Sequence, residues 1–350
     1  MKIKGFILLA FVAIICTVCV VYGGYSVVTL KYPVVADIPK TSSKNNTVTV
    51  SENKTDESNE DSGNAEQPTT DETPKDEQAV QTAAQGQALG TITARKISPY
   101  SAGTSYNSVY LKNNTGVGID IAAALAAQLG FKIQKSTEPQ VLIFHTHTTE
   151  CYMNEDRNFY TESDAFRTLD ENKNMIAIGN VIEHQLQSAG IAVLHDKTVH
   201  DHPSYNGSYS RSADSVLADL KAYPSIKVVI DVHRDSITDD KGNKYKPVVT
   251  VNGKQAAQVM LVMGSETGGI TNFPNWQQNL NLATKYQQTM EVMYPELARP
   301  LLLNSAKYNE HLTTGSMLLE VGCESNTFDE AAYGAELAGK ALASFLNTIK

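Results

Sequence analysis

Between Gly5 and Leu30 the sequence has no charged residue, from about Tyr32 to Leu89 it has almost no aromatic one, and beyond that it has no paired cysteine motif and no basic patch. Of the four cysteines, Cys16 and Cys19 fall inside the uncharged run, while Cys151 and Cys323 stand alone, which excludes a cysteine-rich zinc module. Two free, partly buried thiols are expected from the latter pair in preference to a disulfide. The net charge is −9, yet the 11 acidic residues and 4 lysines between Asp37 and Glu77 leave −7 in that stretch, so the remainder is close to neutral. With no cluster of Lys and Arg, nothing argues for a nucleic-acid partner. No internal repeat is visible.

The 26 uncharged residues from Gly5 to Leu30 exceed the roughly 20 apolar residues that cross a bilayer. A cleaved signal peptide has a shorter apolar core, about 7 to 15 residues, so a transmembrane helix is expected over 5–30. Lys2 and Lys4 place the stub 1–4 in the cytoplasm and everything after Leu30 outside. From 31 to 90, Ser, Thr, Asn, Gln, Asp and Glu with scattered prolines bury too little apolar surface to offset chain entropy, and a disordered acidic tether is expected.

Residues 91–350 read as one domain. Helical spacing ended by glycine appears in Asp120–Leu129, stopped by Gly130, and in Asn174–Ala189, stopped by Gly190. Further helices are expected over Ser212–Tyr223, Trp276–Met293 and Asp329–Leu346, with Trp276 a core residue. Strands are expected at Val141–Phe144, Ile191–Leu194, Lys227–His233 and Ser316–Val321, and a hairpin over Val248–Met263 turning at Asn252–Gly253. Strands alternating with helices indicate an α/β domain whose mostly parallel central sheet is flanked by helices.

Three of these strands end in polar residues: HTHTTE after Leu142–Phe144, HRDS after Val228–Val232, and Glu320 inside MLLEVG. In a parallel sheet such ends share one edge, where ligands bind. His147 and Glu150 form an H-x-x-E pair that a turn can aim at one divalent ion, and His233 completes two imidazoles and a carboxylate, a set suited to catalytic zinc with a fourth position open to water. Glu320 is read as the general base, because a carboxylate in so apolar a strand is costly to bury without a purpose. His145 is the alternative to His147 as ligand, and Asp170 or Glu171 the alternative to Glu150. Arg211 and Arg234, with His145, are candidate substrate contacts, since a guanidinium matches a carboxylate; their plain alternative is pairing with Asp214, Asp231 or Asp235.

Taken together, HTHTTECY, YSRSADSVLADL, DVHRDS, NWQQNLNLA and LLEVGCESN occur in the order seen in stage II sporulation protein P, and the chain resembles that family from about Tyr106 to Lys350. The resemblance implies a zinc-dependent peptidoglycan hydrolase, similar in fold to N-acetylmuramoyl-L-alanine amidases, with endopeptidase activity on cross-links. It implies a place in forespore engulfment, in the mother-cell membrane facing the intermembrane space, with a lytic transglycosylase and a polytopic membrane protein as partners. His147, His233 and Glu320 match the family's two zinc imidazoles and catalytic glutamate. The glutamate ligand of the amidases precedes a helix, which is where Asp170 and Glu171 stand, so Glu150 and these two remain open. H-x-x-E with a distant His is also the ligand pattern of a zinc carboxypeptidase-like stem-peptide hydrolase, and a non-catalytic peptidoglycan-binding scaffold is the alternative from a different class.

Overall fold

The computed structural model describes residues 86–350. The expected transmembrane helix and the tether up to residue 85 lie outside the described residues, and no helix among the described residues is long and apolar enough to cross a membrane. The first strand among the described residues, β1 (Ala88–Arg95), starts inside the stretch expected as tether. That strand exists through distant partners, Ile92 against Lys244 and Thr91 against Phe159, which a local reading of composition does not register.

The chain continues through β2 (Thr104–Tyr106), β3 (Val109–Asn113), α1 (Ile121–Ala126), β4 (Val141–Phe144), β5 (Phe159–Thr161), α2 (Met175–Ser188), β6 (Val193–His195) and α3 (Ser208–Ala222). Then come β7 (Val228–Asp235), β8 (Lys244–Val251), β9 (Lys254–Ala257), β10 (Val259–Gly264), α4 (Trp276–Met293), β11 (Leu301–Asn304), β12 (Ser316–Cys323) and α5 (Phe328–Thr348). Local chemistry fixes several ends. Asn174 caps α2 by accepting from Ile176 N at 3.0 Å, and Gly190, at φ +78°, stops it. Thr327 and Glu330 form a reciprocal capping box on α5.

An eight-stranded sheet runs in the order β2-β3-β11-β10-β12-β7-β4-β6. It is mixed: β2–β3 and β10–β12 are antiparallel, whereas β12, β7, β4 and β6 run parallel to one another. Strands β4, β7 and β10 are buried along their whole length, which their near-continuous apolar sequences require. Alternation along β4 divides the two faces. Val141 and Ile143 join Ile178 and Ile182 of α2 and Leu342 of α5, while Leu142 and Phe144 meet Val216 of α3.

A smaller sheet, β5-β1-β8-β9, carries the Asn252–Gly253 hairpin, both residues at positive φ (51° and 78°) as a tight two-residue turn demands. The expected second arm of that hairpin divides in two. β9 stays in the small sheet, and after Gln258 the chain enters the large one as β10, the glutamine amide donating to Ile97 O and Glu296 O at the crossing. On β12 the register slips immediately after Glu320: Glu320 pairs with His233, but Cys323 with Asp235. Gly322 sits in this bulge at φ +60°, where a Cβ would lie 2.7 Å from Asn326 Oδ1.

Candidate active site

Parallel pairing of β4, β7 and β12 brings the three polar strand ends to one edge. On β7, period-two alternation puts Asp231, His233 and Asp235 on the face toward α3, and the register sets Glu320 beside His233. After Phe144 the chain turns through His145–Glu150, so that the His147 ring meets the His233 ring edge-on at 5.1 Å. Glu150 Oε2 lies 3.8 Å from His233 Nδ1 and accepts from Arg234 N at 3.3 Å, while Oε1 faces Arg167 Nη2 at 3.4 Å. His147, Glu150, His233 and Glu320 are thus neighbours.

His147 is stacked on Tyr205, with centroids 4.5 Å apart and planes at 17°, and Tyr209 meets its edge at 5.6 Å. The Tyr205 hydroxyl is 3.1 Å from Nε2, and Ser208 Oγ 3.4 Å from Nδ1. Burial, and then the charge on His233, hold His147 down to about 3, so its ring is neutral. His233 behaves oppositely. Burial alone would lower it, but Asp231, followed by Glu150 and Glu320, lifts it to about 9. Its Nε2 is 2.8 Å from Asp231 Oδ1, at an angle too bent for a linear hydrogen bond. Glu320 is pushed up to about 8 by burial and then by Asp235, against the opposing pull of His233 and Arg299. Its Oε2 is buried without a hydrogen-bond partner.

Other expected contacts fall elsewhere. His145 turns to α2: Nδ1 lies 2.9 Å from Val232 O and Nε2 2.9 Å from His195 Nε2, over Gly179, where a Cβ would come within 2.8 Å of the His145 ring. Arg211 donates to His200 O, Asn206 O and Ser204 O, and Arg234 to Cys151 O and Phe166 O. Both guanidinium groups therefore brace the backbone around the site. Asp170 accepts from Asn172 in its own turn and pairs with Lys173, and Glu171 is exposed, so of these three carboxylates Glu150 is the one beside His233. Cys151 and Cys323 are free and buried.

Several residues carry no sequence signal. Asp201 holds the histidine turn, accepting from Thr149 N at 3.1 Å, Thr149 Oγ1 at 2.7 Å and Arg167 Nη1 at 2.6 Å. The Arg167 guanidinium lies over the Tyr205 ring at 4.8 Å, and Arg299 pairs with Asp235 at 2.7 Å. Asp231 had a readable sign: like Glu320, it interrupts an apolar strand, at the same-face spacing from His233.

Among the described residues no group of three or more His, Cys, Asp or Glu side chains is set as a ready metal cluster. The donor chemistry fits a divalent ion nonetheless: a neutral imidazole at His147, a second at His233 and a carboxylate at Glu150, beside a buried Glu320 oxygen lacking a partner. A metal would displace the His233 proton, as binding to imidazole always requires.

Comparison with known proteins completes the description. The family model of stage II sporulation protein P matches residues 21–343. Stage II sporulation protein P of Bacillus subtilis (strain 168) is 28% identical over 209 residues, 57% of this chain and 49% of that one, so the chain spans about half the length of the curated relative it matches. Among solved structures, an N-acetylmuramoyl-L-alanine amidase from Clostridium difficile 630 aligns with TM-score 0.38 and 14% identity over 61% of this chain and 97% of its own. The CwlD amidase from Clostridioides difficile, solved with the GerS lipoprotein, aligns with TM-score 0.38 and 12% identity over 60% and 99%.

Proposed function

Because the chain belongs to the stage II sporulation protein P family, we propose that it is a membrane-anchored, zinc-dependent peptidoglycan hydrolase that cuts the N-acetylmuramoyl-L-alanine amide during engulfment. Endopeptidase activity on cross-links, and cooperation with a lytic transglycosylase and a polytopic membrane protein, belong to the same proposal. The observation that carries it is the meeting of His147, Glu150 and His233 beside a buried Glu320 oxygen that has no partner. His147, Glu150 and His233 would hold the zinc. When bound, such an ion supplies Lewis acidity to the amide carbonyl and acidifies a water molecule.

The protein's own groups do the rest. Glu320 Oε2 takes the proton of the attacking water and returns it to the leaving amide nitrogen. Burial favours the protonated form of this carboxyl, which suits the second half of that cycle, in which the acid gives its proton up. Arg234 keeps Glu150 in place through its backbone N–H, and Tyr205 and Tyr209 enclose the His147 ring.

The test is digestion of purified peptidoglycan by the full-length protein in detergent, with mass analysis of the products and zinc analysis of the protein. Wild type should release stem peptides with a free L-alanine amine. His147→Ala should lose zinc and cleavage together, whereas Glu320→Ala should keep zinc and lose cleavage. Cleavage retained by Glu320→Ala removes it as the base.

A further inference from the structure

Asp231 lies two residues before His233 on the same face of β7 and is 2% exposed. Thr146 N donates to its Oδ1 at 2.8 Å and Thr146 Oγ1 to its Oδ2 at 2.6 Å, while His233 Nε2 stands 2.8 Å from Oδ1. Thr146 Oγ1 also lies 2.8 Å from Ser212 Oγ of α3. A single buried carboxylate therefore joins the strand carrying His233 to the residue before His147.

We infer that Asp231 is a positioning residue: it keeps a proton on Nε2 of His233, so that the lone pair of the neutral ring sits on Nδ1 facing Glu150, and through Thr146 it fixes where His147 enters the site. The inference rests on the zinc reading above for its purpose, though not for its geometry. An unprotonated Nε2 at 2.8 Å from a carboxylate oxygen would set two lone pairs against each other. A proton there turns repulsion into attraction even along a bent approach. Nδ1, 3.8 Å from Glu150 Oε2, is then the nitrogen left to bind a metal.

An asparagine in this place has one oxygen for the work of two. With its oxygen toward His233 and Thr146 N, its amide meets the Thr146 hydroxyl. Flipped, the amide donates to Nε2 and favours the tautomer with its proton on Nδ1, the fault that disables a catalytic histidine when its partner aspartate is lost.

The experiment uses the full-length chain labelled with 15N-histidine and free of metal, at a pH alkaline enough to leave the His233 ring neutral. Signals are assigned by their loss in His233→Gln. Wild type should show the Nε2–H tautomer and Asp231→Asn a shift toward Nδ1–H. In chelator competition Asp231→Asn should bind zinc about 10- to 100-fold more weakly, with its melting temperature nearly unchanged. An Nδ1–H ring in wild type, or wild-type zinc affinity in Asp231→Asn, overturns the inference. Should Asp231→Asn fail to fold, the wild-type tautomer decides by itself. An Nε2–H ring in a protein that takes up no zinc supports the role of Asp231 and sinks the metal reading instead.

Discussion

Replacing Asp201 by alanine should destabilise the loops around the site. The carboxylate, with no exposed side-chain surface, accepts from Thr149 N at 3.1 Å, Thr149 Oγ1 at 2.7 Å and Arg167 Nη1 at 2.6 Å. Thr149 is itself 5% exposed, so its amide and hydroxyl lose their acceptor in a place water does not easily reach. A buried group left without a partner costs about 1–3 kcal/mol. The Arg167 side chain, 42% exposed, can turn to water, and its contribution is discounted accordingly. Two stranded Thr149 groups and a weakened ion pair then sum to roughly 3–4 kcal/mol. Urea unfolding of the full-length chain, followed by near-ultraviolet circular dichroism, measures the loss, and chelator competition reads zinc affinity beside it. Because Thr149 lies between His147 and Glu150, both readings should fall. A loss under about 1 kcal/mol would mean that the histidine turn holds its shape without this carboxylate.

Three other outcomes are expected. Glu310 is 1% exposed, accepts from Gly264 N at 2.8 Å and has an unpartnered Oε1, and burial raises it well above the ordinary carboxylate value. A raised pKa means the folded state binds the proton more tightly, so stability is full below about pH 4.5 and declines by about 1.4 kcal/mol per pH unit above it. Glu310→Gln should flatten that decline in urea titrations between pH 5 and 7, and parallel slopes for the two proteins would contradict it. Tyr205→Ala uncovers one face of His147, whose depressed pKa of about 3 comes first from burial, so NMR titration should find this ring titrating higher; an unmoved pKa would show that the stack does not shield it. Cys151 and Cys323 should resist a thiol reagent in the folded protein and react only on unfolding; peptide mapping that finds either labelled under native conditions would refute their burial.

What could be read in the sequence was what has a period or breaks one. His147, His233 and Glu320 were legible because each ends or interrupts an apolar strand, and parallel pairing then gathers strand ends without further instruction. Arg211 and Arg234, read as candidate substrate contacts, donate to backbone carbonyls, and spacing alone does not say which kind of acceptor a guanidinium meets. His145 shares its strand's extension with His147, yet the chain turns between them, and the first packs on α2 while the second meets α3. Tyr205, Asp201 and Arg167 lie in irregular segments whose shape comes from contacts with one another. The antiparallel step between β10 and β12 was hidden for a related reason: a buried strand reads the same in either direction.

The position of β12 has a consequence for shortened chains. It is the last strand of the chain, yet it lies in the middle of the large sheet, between β10 and β7. A polypeptide that stops short of Ser316 carries both imidazoles and Glu150, but neither Glu320 nor the strand that joins β10 to β7. The two halves of the sheet close around the site only once Ser316–Cys323 is in place, so a fragment that ends before it lacks the complete set of residues.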